Sequence, residues 1–302
     1  MLRHFFLYLS HQKKFERWLL RFSAARKLAR QFVAGETLPE AMAVVASLNR
    51  RGLLVTLDHL GENVRSLATA AAARDDYCRI LEAIAREQLR STISVKLTQL
   101  GLDLPEEQCR ANLETVVACA QRTSNFVQVD MESSAHTDRT LALVQELHQR
   151  YSAVGAVIQA YLHRSENDIR ELLQQNIRIR LCKGAYQEPP AVAFQHNADV
   201  DRNYILLMRL LLDSRLFHSI ATHDHRIIAE TRRYAKESGL PKDAFEFQML
   251  YGVRRPLQQE LAQQGYRLRI YVPFGREWFP YYMRRLAERP ANVLFALRSL
   301  WG

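Results

Sequence analysis

Residues 267–289 of the chain read RLRIYVPFGREWFPYYMRRLAER, and this strand-then-helix unit decides the fold. Apolar side chains alternate with polar or charged ones from Leu268 to Val272, which is the period of a half-buried strand. Pro273 and Gly275 end that strand, and a helical period follows them. The sequence therefore predicts a β-strand that leads directly into an α-helix.

Seven further strand-like runs precede this unit, separated by segments with helical periodicity. They are LLVTLD from Leu53, TISVKL from Thr92, FVQVDM from Phe126, AVIQAY from Ala156, IRIRLCKG from Ile177, SIATHD from Ser219 and FEFQML from Phe245. Because strand-helix alternation implies parallel strands, and because no Gly-rich phosphate loop follows the first strand, the pattern favours a closed (β/α)8 barrel over an open doubly wound sheet. The first 50 residues carry no strand signal, so we expect an N-terminal helical arm over 1–50 and a barrel domain over 51–302.

The composition is that of an ordinary globular protein with a basic bias. Of 302 residues, 48% are hydrophobic and 25% charged, and the net charge is +10 with a pI near 9.6. This charge is compatible with nucleic acid, an anionic membrane surface or an acidic ligand. The basic residues are spread along the chain without an RNP pattern or zinc-finger spacing, so we expect no nucleic-acid partner.

Cysteine usage and the N-terminal segment predict a cytoplasmic protein. The four cysteines are widely spaced and form no CxxC, which is typical of reduced, buried thiols. No stretch reaches the ~20 apolar residues of a membrane span. Phe15, Trp18, Leu19 and Phe22 lie at helical spacing among Lys and Arg, which suits either an arm packed on the domain or a helix on an anionic membrane surface.

Polar side chains close all eight predicted strands. They are Asp58, His59, Lys96, Asp130, Glu132, Gln159, Tyr161, Arg180, Lys183, His223, Asp224, Gln248 and Tyr271. Active sites of (β/α)8 barrels gather at these carboxyl ends, so the pattern predicts a mixed-charge pocket there. The run HDH at 223–225 has no second cluster at metal spacing, and we expect no metal site.

A pair of arginines, Arg284 and Arg285, follows the last strand on its helix. A guanidinium group matches a carboxylate or phosphate in charge and in shape, so the pair is a candidate anion clamp. The alternative is a solvated helix face, on which Glu288 pairs with them at a spacing of three and four residues.

Seven ordered motifs carry a family resemblance. They are ISVKLTQLG, VDMESSAHTD, VIQAYLHR, RLCKGAYQEP, ATHD, FEFQMLYGV, and IYVPFG followed by YYMRRLAE. In this order, over roughly residues 53–289, the chain resembles the proline dehydrogenase family, in particular its small monofunctional bacterial members. The resemblance implies a distorted barrel that holds FAD, with the final helix over the barrel mouth so that both arginines point inward.

The resemblance also implies an activity. Family members oxidise L-proline to Δ1-pyrroline-5-carboxylate by hydride transfer from C5 to the flavin, pass the electrons to membrane quinone, and so begin proline degradation to glutamate. Bifunctional relatives carry Trp after KGAY, whereas Gln187 follows Tyr186 here, and the chain ends at Gly302. We therefore expect the first step only, from a cytoplasmic protein in peripheral contact with the inner face of an anionic membrane.

Individual site residues follow by resemblance, position by position. Those expected at the substrate are Lys96, Asp130, Tyr271, Tyr281, Arg284, Arg285 and Glu288. Those expected at FAD are Gln159, Arg180, Lys183, Gly184, Ala185, Tyr186, Thr222, His223 and Gln248. The arginines and the lysine would hold the carboxylate, the acidic residues would orient these cations, and the tyrosines would pack on the pyrrolidine ring.

Two alternatives remain open at this level. Methylenetetrahydrofolate reductase also holds FAD in an eight-fold barrel, but a resemblance to that enzyme would not explain the YYMRRLAE helix. A non-enzymatic basic protein that binds nucleic acid would be colourless, whereas the flavoenzyme would be yellow and bleached by proline.

Overall fold

Eight parallel strands form a closed barrel in chain order, which confirms the predicted fold class. This computed structural model describes residues 30–288, apart from the side chains of Glu106 and of residues 284–288. The strands are β1 Leu54–His59, β2 Ser91–Val95, β3 Val127–Val129, β4 Val154–Gln159, β5 Ile179–Cys182, β6 Ser219–Ala221, β7 Glu246–Leu250 and β8 Leu268–Phe274. Pairing of β1 with β8 closes the barrel.

The described helices alternate with the strands. They are α1 Leu38–Arg50, α2 Leu67–Arg86, α3 Glu106–Arg122, α4 Thr137–His148, α5 Ser165–Gln174, α6 Asn197–Asp213, α7 His225–Glu237, α8 Arg255–Gln263 and α9 Trp278–Glu288, with a 3-10 turn at Ser134–His136 before α4. Within the described residues, no helix combines the length and the apolar composition that a membrane crossing requires.

Alternation along each strand separates an apolar outer face from a polar barrel interior. In β8, Leu268, Ile270 and Val272 are buried in the large core between strands and helices. The residues between them face inward: the Arg269 Nη1 donates to the Thr92 Oγ1 across the barrel at 3.4 Å. Because successive side chains in a strand point to opposite faces, the polar residues of the strands converge inside the barrel.

The prediction that Pro273 ends the last strand is wrong. Strand β8 continues through Pro273 to Phe274 and stays in register with β1. Proline lacks only the amide donor, and the carbonyl of Pro273 still accepts a hydrogen bond from the Ala34 N–H at 2.8 Å. The strand ends at Phe274, and the next residue, Gly275, has a φ of +123°, in a region that disfavours other residues.

The described part of the N-terminal segment is built into the barrel. Helix α1 buries Ala41, Met42, Val45 and Leu48 in the same core as the strands. Residues 1–29 of the predicted arm lie outside the described part. The division into an arm and a barrel domain at residue 51 stays a prediction, but α1 shares its core with the domain that it precedes.

Segment 30–37 contacts the start of α9. The Trp278 Nε1 donates to the Glu36 Oε1 at 3.2 Å, and the rings of Phe32 and Tyr282 lie 6.2 Å apart. The Gly275 N–H donates to the carbonyl of Gly35 at 2.9 Å. These contacts fix the beginning of α9 at the carboxyl end of β8, while its course over the barrel mouth stays a prediction.

Candidate active site

Lys96 lies at the centre of a polar cluster at the carboxyl ends of the strands. Its Nζ is 3.1 Å from the Asp130 Oδ2, 3.4 Å from the Asp58 Oδ1 and 3.4 Å from the Tyr271 OH. Strands β1, β3 and β8 bring these partners to the lysine, which itself directly follows β2. Contacts with three partners hold the ammonium group in place before any ligand arrives.

Arg180 joins the same cluster through Asp130. Its Nη1 donates to the Asp130 Oδ1 at 2.8 Å and to the Ser94 Oγ at 3.0 Å. The Asp130 carboxylate also accepts from the Ser94 Oγ at 2.6 Å and from the Tyr271 OH at 2.9 Å. Asp130 thus bridges two cations, with both of its oxygens fully used.

The charges of the cluster are coupled. Burial raises the pKa of the Asp130 carboxyl, but Lys96, Arg180 and the hydrogen bonds from Ser94 and Tyr271 outweigh burial and hold that pKa below its ordinary value. Burial lowers the pKa of Lys96, yet the nearby carboxylates and Tyr271 raise it well above the ordinary value. Lys96 therefore stays an ammonium group, suited to a carboxylate ligand.

Asp58 is the weaker partner of Lys96. It is 1% exposed, and burial raises its pKa against the opposing charge of Lys96. Lys96 lies 3.4 Å from the Asp58 carboxylate but 3.1 Å from that of Asp130, and Asp130 also pairs with Arg180. The negative charge of Asp58 is therefore less well compensated than that of Asp130.

The structure brings together three of the residues expected at the substrate. Lys96, Asp130 and Tyr271 contact one another directly. Tyr281 is 6% exposed on α9. The side chains of Arg284, Arg285 and Glu288 lie outside the described residues, although the helix that carries them is described.

Two of the residues expected at FAD present buried amide oxygens to the barrel interior. The Gln159 Nε2 donates to the carbonyl of Met131 at 3.2 Å, and the Gln248 Nε2 donates to the Glu246 Oε1 at 2.8 Å. Their Oε1 atoms, and the Nε of Arg180, are buried without a partner among the described residues. Buried polar atoms are nearly always paired, so these three are suited to a polar ligand.

These orphaned atoms fit the polar rim of an isoalloxazine ring. Amide oxygens can accept from its ring N–H, and the arginine Nε can donate to its ring oxygens and nitrogens. Arg180 also lies 5.4 Å from the centroid of the Tyr271 ring, which holds the guanidinium near the substrate cluster. The residues present therefore fit a flavin.

Lys183 is tied to two carboxylates. Its Nζ lies 2.5 Å from the Asp201 Oδ1 and 2.9 Å from the Asp224 Oδ2. Asp224 also caps α7 by accepting from the Arg226 N–H at 2.9 Å. Since two carboxylates surround one ammonium group, Lys183 offers a positioned donor and little free positive charge.

Gly184 occupies a position that only glycine fits. Its φ is +109°, and a Cβ there would lie 2.1 Å from the Tyr161 Cδ1. The ring of Tyr161 thus fills the space that a side chain would need, so the glycine allows backbone-to-ring packing. The next two residues, Ala185 and Tyr186, are exposed.

Thr222 and His223 interact with the end of β7. The Thr222 N–H donates to the carbonyl of Gln248 at 3.2 Å, and the threonine Oγ1 accepts from the Asp224 N–H at 3.1 Å. The His223 Nε2 accepts from the Leu250 N–H at 2.8 Å. That bond fixes the ring orientation and leaves Nδ1 as the donor of the neutral imidazole.

The sequence predicted Asp58 at the pocket without giving it a role, and it did not single out Ser94 or the deeper ion pair. Ser94 and Asp58 complete the Lys96 cluster, and an ion pair between Glu246 and Arg269, 2.7 Å apart, lies deeper in the barrel. Ser94 precedes Lys96 by two positions, so strand alternation places both on the inner face. That spacing was an available signal for Ser94.

Among the described residues, no group of three His, Cys, Asp or Glu side chains could hold a metal ion. The acidic and histidine side chains at the strand ends instead pair with lysine, arginine and backbone groups, as at Asp130 and His223.

Comparison with known proteins identifies the family. A family model described as Proline dehydrogenase matches residues 41–298. The chain belongs to the proline dehydrogenase family. It is 43% identical over 300 residues to "Proline dehydrogenase 1" of Bacillus subtilis (strain 168), with 99% of each chain covered. It is 40% identical over 278 residues to "Proline dehydrogenase" of Deinococcus radiodurans, with 90% of each covered.

Solved structures support the same family assignment. The proline utilization A (PutA) protein of Bdellovibrio bacteriovorus, in a structure inactivated by N-propargylglycine, is similar with a TM-score of 0.82 and 28% identity. The match covers 87% of this chain and 33% of that one, so the chain spans about a third of the PutA polypeptide. The barrel of this proline dehydrogenase family member thus has a counterpart of known structure.

Proposed function

We propose that this protein is an FAD-dependent proline dehydrogenase that oxidises L-proline to Δ1-pyrroline-5-carboxylate. The observation that carries the proposal is the fixed ammonium group of Lys96, held between Asp58, Asp130 and Tyr271 at the mouth of a barrel of this family. Relatives at 39–43% identity bear the name proline dehydrogenase.

The charge of the cluster suits an amino acid substrate. Lys96, together with Arg284 and Arg285 on α9, would hold the proline carboxylate, and each charge-assisted hydrogen bond contributes about 1.5–3 kcal/mol. Asp130 and Glu288 would keep these cations apart and oriented. Positive charge near the ring nitrogen disfavours the ammonium form of proline, and the free amine has the lone pair that hydride loss from C5 requires.

When bound, FAD supplies the hydride acceptor. Gln159 and Gln248 would accept from its ring N–H, and Arg180 would place a positive charge beside the ring, which favours electron uptake. Lys183, Gly184, Ala185 and Tyr186 would approach it through their backbone, with Thr222 and His223 alongside. Tyr271 and Tyr281 would pack on proline and exclude water.

We further propose that electrons pass to membrane quinone and that the protein associates reversibly with an anionic membrane surface. The net charge of +10 supports electrostatic attraction to such lipid. In vesicle co-sedimentation, we expect pelleting with anionic vesicles at low salt and release at high salt. Equal pelleting with neutral and anionic vesicles would contradict the electrostatic argument.

The visible spectrum tests the main proposal. The purified protein should be yellow, and anaerobic L-proline should bleach the flavin band. Arg284→Met and Arg285→Met should each raise the proline KM at least about tenfold, which corresponds to about 1.4 kcal/mol of binding energy, while FAD stays bound.

Arg276→Met is the matched control, because Arg276 is an exposed arginine just before the same helix. Its KM should equal that of the wild type. A colourless protein after FAD reconstitution, or unchanged KM values in both clamp variants, would refute the proposal.

A further inference from the structure

A cavity of about 660 Å³ opens at the amino-terminal ends of the strands, on the opposite side of the barrel from the mouth. Its walls come from the ends of α2 and α3 and from the loops that lead into β2 and β3. Small-molecule sites in proteins have volumes of about 300–1,000 Å³, so this cavity is large enough for one. Nothing in the proposed reaction uses it.

The cavity is basic. Arg90, Arg178 and Arg269 line it, and no carboxylate is among the described residues that do so. Hydrogen-bonding side chains of Thr92, Ser124 and Asn125 contribute to its walls. The lining thus combines three guanidinium groups with neutral polar groups.

Among the described residues, Arg178 has no counter-ion. Its guanidinium lies 5.1 Å from the ring centroid of Phe126 and 5.7 Å from that of Phe217. Arg267 lies 5.1 Å from the same Phe217 ring. The Arg178 side chain makes neither a hydrogen bond nor an ion pair with any described group, so its donors remain available while two aromatic rings hold its position.

The other two arginines are partly engaged. The Arg90 Nη2 donates to the carbonyl of Asn49 at 2.7 Å. The Arg269 Nε donates to the Glu246 Oε1 at 2.7 Å, so Glu246 offsets the charge of Arg269. The carbonyl ends of α2 and α3 contribute roughly half a negative charge each. The cavity therefore keeps a net positive charge of roughly one, centred on Arg178.

We propose that this cavity binds a small polyanion bearing carboxylate or phosphate groups, at a site separate from the proline pocket. A planar guanidinium matches either group with two parallel hydrogen bonds, and Arg178 has the donors free to make them. The neutral walls allow the remainder of such a molecule to enter without meeting like charge.

Isothermal titration calorimetry and thermal unfolding of the FAD-loaded protein test this inference. The probes are citrate for carboxylates and pyrophosphate for phosphates, each compared with sodium chloride at equal ionic strength. At a hundred times the dissociation constant, a probe should raise Tm by about 5 °C. The probe that binds more tightly identifies the preferred anion.

Two variants locate the site. Arg178→Gln should weaken the better probe at least tenfold, and Arg90→Gln provides a second test if the first variant folds poorly. Arg150→Gln is the matched control, since Arg150 pairs with Glu114 at 2.5 Å and does not line the cavity. It should bind as the wild type does.

Several results would overturn the inference. The first is a response to citrate and pyrophosphate no larger than that to sodium chloride. The second is equal affinity of Arg178→Gln and the wild type for the probe. The third is a loss of affinity in Arg150→Gln equal to that in Arg178→Gln, which would indicate general attraction to a basic face. Competition between L-proline and the probe would place binding at the mouth instead.

Discussion

Replacing Asp130 by Asn should disrupt the active-site cluster more than any other single carboxylate exchange there. Asp130 accepts from Arg180 and Ser94 on one oxygen and from Lys96 and Tyr271 on the other. The Asn side chain has one acceptor oxygen, and its NH2 group would replace the other. That NH2 group would face two donors that now bind a carboxylate oxygen. One charge-assisted contact is lost and a buried cation is left unpaired, which costs about 3–5 kcal/mol.

The assay is thermal unfolding combined with steady-state kinetics and an artificial electron acceptor. For a chain of this size, Tm should fall by about 6–10 °C, and the proline KM should rise at least about tenfold because Lys96 loses its orientation. Asp58→Asn is the matched comparison, since among the described cations Asp58 pairs with Lys96 alone, at 3.4 Å, whereas Asp130 pairs with both Lys96 and Arg180. A Tm loss no larger than that of Asp58→Asn, with an unchanged KM, would refute this account.

Three further predictions concern single contacts. Tyr271→Phe removes the hydroxyl that donates to Asp130 at 2.9 Å. Unfolding measurements should show a loss of about 1–2 kcal/mol in stability, and steady-state kinetics should show a higher proline KM. An unchanged KM would contradict a role of the Tyr271 hydroxyl in proline binding. Gly184→Ala should lower the free energy of unfolding by about 2–5 kcal/mol, because its φ is strained and the new Cβ overlaps Tyr161. Gly239→Ala is the control, with φ +65° and open space around it, and should lower that free energy by about 1–2 kcal/mol. Equal Tm values for the two variants would disprove the overlap. Burial lowers the pKa of His218 to about 4, so the unfolded chain binds more protons than the folded one between pH 6.5 and 4. Stability should therefore fall as the pH decreases through that window. His218→Gln should flatten the dependence of stability on pH, and a dependence equal to that of the wild type would exclude His218 as its source.

The barrel could be predicted from the sequence because its strands are short runs bounded by helices of clear periodicity. Asp58, Lys96, Asp130 and Tyr271 were visible as polar residues at strand ends, and the carboxyl ends of parallel strands must meet. The contacts within the cluster could not be predicted, because they depend on which side chains meet across the barrel. Ser94 is an example: strand alternation places it on the inner face, but only the structure shows that it contacts Asp130 and Arg180.

Other features depend on tertiary packing that local patterns do not encode. Pro273 reads as a strand breaker, yet its neighbour strand and the Ala34 N–H accommodate it within β8. The Arg269–Glu246 pair lies toward the amino-terminal side of the barrel, for which no local pattern in the sequence predicted an ion pair. The clamp formed by Arg284 and Arg285 rests on family resemblance and remains a prediction.

The hydrogen bonds from segment 30–37 to the end of β8 have a practical consequence for protein engineering. Gly35 and Glu36 hold the start of the helix that carries the two arginines. Shortening the chain to begin at α1 would remove these anchors and uncover Trp278 and Tyr282. Affinity for proline would then suffer from a deletion almost 250 positions away in sequence, so expression variants should retain this stretch.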